Sequence, residues 1–342
     1  MGTPDLSCAI ATWFVADDES EATYFPQIGS QSHAQDSQAV YWRCAVVFFA
    51  SSLAVNPDCR HIMFTNSDLP VIDGLDVQAT LARWGVEVVH CPITWRLPLG
   101  SVSSWGNQFY VFDIMEYWIG AEETLPLIIL DSDCVWTRSA EGIVEAVEKY
   151  GALAYELNYP PRADINGLTT GQMAEFLAKH STVRSDVVPY CAGEFIAASS
   201  ETIRRVCGTA RKLWPAVIEQ GPNCPREEAH LLSIIYAMEG IIPGTGNPFI
   251  KRMWTAFRYN NVTTDDLSKA IWHLPAEKRT GFSDLFTDLI PHSGYDPREM
   301  PHALGLDAGR YAKFFGIPRR SGSKFVRDVL LKLRDKVRRR QL

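Results

Sequence analysis

Short apolar runs alternate with segments of helical length through the first half of the chain, and that alternation constrains the fold more than any other feature. SCAIATWFVA (7–16), RHIMFTN (60–66), VEVVHCPI (86–93), PLIILDSD (126–133) and ALAYEL (152–157) read as strands. Between them, SQAVYWRCAVVFFASSLAV (37–55), DVQATLARWG (76–85), SWGNQFYVFDIMEYWIG (104–120) and SAEGIVEAVEKYG (139–151) read as helices, the last capped by Ser139. Alternation of this kind builds an α/β fold with a mixed, mostly parallel sheet flanked by helices. Beyond residue 157 the pattern loosens. VVPYCAGEFIAASSETIRRVCGTARKLW gives a strand or hairpin and then a helix, and REEAHLLSIIYAMEG is a clear helix. GIIPGTGNPFIKRMWTAFRYNN is turn-rich, and TTDDLSKAIWHLPAEKRTG puts a short helix or strand before a polar turn.

The 342 residues, 46% of them hydrophobic, are enough to bury a large core. No apolar run approaches the ~20 residues of a membrane span. The start, with no Lys or Arg before Asp17 and Asp18, does not read as a secretory signal. The eight cysteines form no CxxC pair, which fits buried free thiols in a reducing cytoplasm and argues against a cysteine metal site. The net charge of −7 is unevenly spread. Residues 318–342 hold ten of the 33 Lys and Arg but two of the 40 Asp and Glu, so the body before them is strongly acidic. An acidic body argues against nucleic-acid binding.

The run LIIL surfaces at Asp131 and Asp133. In parallel α/β sheets, ligands bind beyond the carboxyl ends of the strands. A strand pleat points residues 131 and 133 the same way, and two converging carboxylates repel unless a cation lies between them. Hard oxygen ligands of this type suit Mn²⁺ or Mg²⁺.

LIILDSDCVW resembles the DxD segment of GT-A glycosyltransferases, in which a divalent cation bridges the carboxylates and the diphosphate of a nucleotide-sugar. YCAGEFIAASSETIRRV, REEAHLLSIIYA and IWHLPAEKRTG are similar, in that order, to three later segments of the retaining family-eight group, the galactosyltransferase-like and glycogenin-like enzymes. Cys191 stands in place of the family's Asn, Glu227-Glu228 in place of Asp-Gln, and the spacing from His273 to Lys278 is one residue shorter.

The resemblance implies a Rossmann-like GT-A catalytic domain over 1–280, with a C-terminal extension (281–317) and a basic tail (318–342). It implies a metal site of Asp131, Asp133 and His273, and a metal-dependent transfer of a sugar, with retention, from a UDP-sugar to a saccharide or lipid-linked saccharide acceptor. Such a reaction serves cell-surface polysaccharide or glycolipid synthesis. Lys278 is placed to neutralise the leaving diphosphate, with Arg279, Lys251 and Arg252 as lesser candidates. Asp17, Asn66, Trp105, Asn107 and Gln108, with Asp131, are candidates for the nucleotide or sugar. Glu194, Glu227 and Glu228 are candidates for sugar hydroxyls or catalysis. Glu227 and Glu228 also suit a helix N-terminus for electrostatic reasons alone.

The alternatives are a sugar nucleotidyltransferase and a non-catalytic nucleotide-sugar-binding module. The first usually carries a Gly-rich basic loop after its first strand, and FVADDESEATYFPQIG has none. PGTGNPFIKRMW is expected to order only when the donor binds. In the tail, Phe325 or Val326, Val329, Leu330, Leu333 and Val337 recur at helical spacing among Lys and Arg. Residues 319–342 therefore read as a basic amphipathic helix for the anionic inner leaflet of a membrane, or one docked on the acidic body.

Overall fold

The computed structural model describes residues 6–338 apart from Ser103, Arg258 and Ala303. The alternation seen in the sequence becomes β1 (Ala9–Phe14), α1 (Gln35–Val55), β2 (Arg60–Thr65), α2 (Val77–Arg83), β3 (Glu87–His90), α3 (Tyr110–Gly120) and β4 (Leu127–Leu130). After them come β5 (Cys134–Trp136), α4 (Glu141–Tyr150), β6 (Ala152–Glu156), α5 (Thr170–His180), β7 (Cys191–Ala198), α6 (Ser200–Ile218) and α7 (Glu228–Glu239). Then follow β8 (Ile250–Arg252), β9 (Ile271–His273), α8 (Gly281–Leu289), α9 (Ala308–Phe315) and α10 (Gly322–Arg338).

The main sheet has the order β6-β7-β4-β1-β2-β3. β1, β2, β3 and β4 run parallel, and β7 alone is antiparallel to its neighbours β4 and β6. β4 is buried at every position, so it reads as a continuous apolar run rather than an alternating one. β8, β9 and β5 form a second, three-stranded sheet. α1 is long and apolar enough to cross a bilayer, but most of it is buried, packed against β1, β5 and α8.

Several local expectations change. Ser139 does not cap α4: Ala140 occupies the cap, and its N–H donates to Asn56 Oδ1 at 2.6 Å. α3 begins at Tyr110, so Trp105, Asn107 and Gln108 lie in the turn before it, with Trp105 at φ 52°. Asp131 and Asp133 are not on one strand pleat. They flank a tight turn, closed by Cys134 N–H to Asp131 O at 3.2 Å, that carries the chain from the main sheet into the second one. PGTGNPFIKRMW meets the sheet edge through side-chain hydrogen bonds. Ala154 N–H donates to Thr245 Oγ1 at 3.0 Å, Glu156 N–H to Asn247 Oδ1 at 2.9 Å, and Lys269 Nζ to Asn247 O at 2.9 Å.

α10 docks through a charged face. Buried Lys324 Nζ reaches Glu277 Oε2 at 2.8 Å and Asp328 at 3.2 Å, Arg320 pairs with Asp328 at 3.1 Å, and Arg327 pairs with Asp284. Phe325, Val326, Leu330 and Leu333 point outward and are about half exposed. Lys324, Asp328 and Leu331 share one helical face, and Val326, Leu330 and Leu333 another, rotated well away from it. Residues 339–342 of the tail, and the side chains of 332 and 334–338, lie outside what is described.

Candidate active site

Strand register assembles the site. β7 is aligned with β4 so that Phe195 faces Leu130, and Asp131 N–H donates to Glu194 O at 3.3 Å. β9 is aligned with β5 so that His273 faces Cys134, next to Asp133, and Leu274 N–H donates to Asp133 O at 3.0 Å. β8 is aligned with β9 so that Arg252 faces His273. Residues far apart in sequence thus converge at the seam of two sheets, beyond the carboxyl end of β4.

His273 Nε2 donates to Asp133 Oδ2 at 3.1 Å and lies 3.8 Å from Asp131 Oδ2. Its Nδ1 donates to Glu194 Oε1 at 3.2 Å. Burial opposes charge on this ring, but Asp133 and Glu194 beside it win and push its pKa up to about 9. Lys278 Nζ sits 2.5 Å from Asp133 Oδ2 and 5.3 Å from the centre of the Tyr41 ring. Burial works against the Asp133 carboxylate as well, yet Lys278 and His273 hold it well below the usual range. Asp131 has only the longer contact to His273, at 3.8 Å. Its withdrawal from bulk water and the neighbouring Asp133 push it up to about 6.

One ligand atom each from Asp131, Asp133 and His273 lies within 4.8 Å of the others. Two carboxylates and an imidazole, with one carboxylate only loosely paired, fit a divalent cation of the Mn²⁺ or Mg²⁺ type. Glu194 fixes the far nitrogen of His273, as carboxylates do behind metal-bound histidines. Its own charge is held by Arg252, whose Nε donates to Oε1 at 2.6 Å and whose Nη2 donates to Oε2. Glu194 therefore faces inward to the cluster with both oxygens occupied, rather than outward to a sugar.

The cluster lies in a cavity of about 370 Å³. Its lining includes Trp13, Phe14, Tyr41 and Trp105, with the amides of Asn107 and Gln108, and a polar set of Asp164, Asn166, Tyr190, Glu227 and Glu228. Glu227 is satisfied by Tyr190 Oη at 2.8 Å and Asn166 Nδ2 at 2.6 Å. Glu228 Oε2 has no hydrogen-bond partner among the described residues. Burial, then Glu227 and Asp131, raise the Glu228 carboxyl well above the usual range. Its side chain fills the space that a Cβ on Gly193 would need.

Four sequence candidates lie outside this cavity. Asn66 clasps the Ala16 backbone, accepting its N–H at 2.8 Å and donating to its carbonyl at 2.9 Å, so it holds β1 and β2 together. Asp17 is buried 3.5 Å from Arg96. Lys251 pairs with Asp266 at 3.5 Å, and Arg279 donates to Ile28 O at 3.2 Å away from the metal cluster. Sequence reasoning missed Tyr41, Asn166, Tyr190 and Trp254. Only Asn166-Gly167 carried a signal, a turn-forming pair with φ of 50° and 97°.

No family model and no curated protein matches the chain. Among solved structures, an active-site mutant of LgtC is 14% identical with a TM-score of 0.50, covering 86% of this chain and 99% of that one. The chain has the GT-A fold. The galactosyltransferase LgtC in complex with donor and acceptor sugar analogues is 12% identical over the same shares, with a TM-score of 0.49. Mouse xyloside xylosyltransferase 1 is 10% identical, with a TM-score of 0.44, covering 78% of this chain and 97% of that one. At these identities the likeness concerns the fold, and the chemistry is argued from the site.

Proposed function

We propose that the chain is a metal-dependent glycosyltransferase that moves a sugar from a UDP-sugar to a hydroxyl acceptor, with retention. The observation that carries this reading is the Asp131–Asp133–His273 cluster with Lys278, set in one cavity lined by both aromatic and acidic side chains. The aromatic rings and amides suit a base, by stacking and by hydrogen bonds to its edge. The acidic side chains suit sugar hydroxyls.

Asp131, Asp133 and His273 would hold the cation, Mn²⁺ or Mg²⁺, which supplies Lewis acidity to the leaving diphosphate. Lys278 adds a fixed positive charge where negative charge develops, and the Tyr41 ring and Asp133 keep it in place. Glu228, with an unpartnered oxygen, accepts a hydrogen bond from the sugar or faces the positive charge that grows at its anomeric carbon. Glu227 holds Tyr190 and Asn166 in the same wall.

The alternatives fit less well. A nucleotidyltransferase needs basic groups beyond the first strand, and the carboxyl side of β1 here leads to Asp17, Asp18 and Glu19. A binding module without turnover has no need for Lys278 beside the cluster. Release of UDP from UDP-glucose, UDP-galactose and UDP-N-acetylglucosamine, with and without Mn²⁺, separates the readings. Mn²⁺-dependent release supports transfer, and binding without release supports the module. Pyrophosphate-dependent formation of UTP supports the nucleotidyltransferase.

We place the protein at the cytoplasmic face of a membrane. The outward Phe325, Val326, Leu330 and Leu333 and the basic residues of the tail support this, as they match an anionic lipid surface. An acceptor carried by a lipid would be presented at that surface.

A further inference from the structure

A second cavity, of about 420 Å³, lies beside the catalytic one and is within the usual range for ligand pockets. The loop Pro26–Ile28, the turn Thr255–Phe257, the segment Ala276–Thr280 and the inner face of α10 enclose it. The two cavities are neighbours along three separate stretches of chain. Gln27 lines both, Trp254 lines the first and Thr255 the second, and Pro275 and Lys278 line the first while Ala276 and Arg279 line the second. The groove also leads outward. Phe257 on its wall packs against Phe325 of α10 with ring centroids 5.3 Å apart, and Phe325 begins the exposed stripe of Val326, Leu330 and Leu333.

We propose that this groove holds the apolar chain of the acceptor, so that the substrate class is a saccharide carried on a long alkyl or isoprenoid chain. The proposal rests on the glycosyltransferase reading above. It is argued from what lines the groove. Ile28, Ala256, Phe257, Ala276 and Leu331 give it apolar walls. The two cations that line it are spent on the protein: Arg320 on Asp328, on Thr255 O and on the Phe257 ring, and Arg279 on Ile28 O. A groove for a phosphate would leave such groups pointing inward. With the sugar at the cluster, the chain runs past Ala276 and along Leu331.

The test uses the full-length chain and dodecyl maltoside below its micellar concentration, with maltose as the chain-free control, followed by calorimetry. Each buried methylene multiplies affinity about fourfold, so the detergent should bind at least a hundredfold more tightly than maltose. Leu331→Asp and Ala276→Phe, which alter the groove from opposite walls, should each weaken it at least tenfold. Leu333→Ser, on the outer stripe, should change it less than threefold. Melting curves report the fold of each variant, and if Leu331→Asp fails to fold, Ala276→Phe decides. Equal affinity for detergent and maltose would overturn the proposal. So would wild-type affinity in the groove variants with loss in Leu333→Ser, which would mean adsorption to the stripe. Binding of UDP with Mn²⁺, measured on the same samples, reports separately on the glycosyltransferase reading. Its failure beside intact detergent binding would remove that reading and leave an apolar groove.

Discussion

Glu194 holds Arg252 and the inner nitrogen of His273 at once, so its worth is in setting another residue's tautomer and orientation. Removing such a partner typically costs 10–100-fold in metal affinity. Glu194→Ala should weaken Mn²⁺ binding by that order, measured by electron paramagnetic resonance titration; unchanged affinity would show that His273 needs no such support. Gly193 is the neighbouring constraint. A methyl there would lie 2.1 Å from Glu228 Oε1, so Gly193→Ala must displace that side chain. We expect turnover to fall at least tenfold, while the stability cost stays at about 1–3 kcal/mol. Turnover at the wild-type level would take Glu228 out of the reaction. Asp131 and Asp133 were legible in the sequence because a buried strand ended at them. The commitment of Glu194 to Arg252 was not, since it depends on two registers between strands far apart in the chain.

At the scale of elements, the alternating first half was readable because its strands and helices span several periods each. β8 and β9 have three residues apiece, too few to show a period, and they bring Arg252 and His273 into place. The antiparallel setting of β7 was hidden as well, because direction leaves no mark on an apolar run.

β2 carries a testable burden of its own. His61 is buried between Ser52 Oγ at 2.8 Å and Cys59 O at 3.0 Å. Burial, with no carboxylate beside it, pushes its pKa down to about 4 from 6.5. Above pH 6.5 the ring is neutral in both folded and unfolded chains. Between 6.5 and 4 the unfolded chain takes up a proton that the fold refuses. This residue should therefore remove roughly 3 kcal/mol of stability as pH falls through that window. Urea unfolding of the wild type and His61→Gln at pH 7 and pH 4.5 checks this. A pH dependence that is the same in both proteins would contradict it.

Across the whole molecule, two sheets meet at the Asp131–Asp133 turn, and α10 docks on the body through the Lys324–Glu277–Asp328 cluster. Breaking a buried ion pair by removing one partner costs about 3 kcal/mol or more, so Lys324→Met should lower stability by that order in urea unfolding. A loss under about 1 kcal/mol would mean that α10 is an appendage. The sequence showed the amphipathic tail but could not show which face would dock, because both a membrane and an acidic body suit basic residues. Co-sedimentation with phosphatidylserine vesicles should be strong for the full chain and weak for the chain ending at residue 318; equal sedimentation of the two would remove the tail from membrane binding.

The central claim is that Asp131, Asp133 and His273 hold a divalent cation on which donor binding depends. Asp133→Ala is a poor probe, because it strands buried Lys278 and His273 without their shared carboxylate. Asp131→Asn is cleaner, since that side chain is the open member of the cluster. The measurement is calorimetric titration of UDP into the full chain with and without Mn²⁺. We predict binding that needs Mn²⁺ in the wild type and falls at least tenfold in Asp131→Asn with its melting temperature kept. Equal UDP affinity with and without Mn²⁺, or wild-type affinity in the variant, would contradict the account.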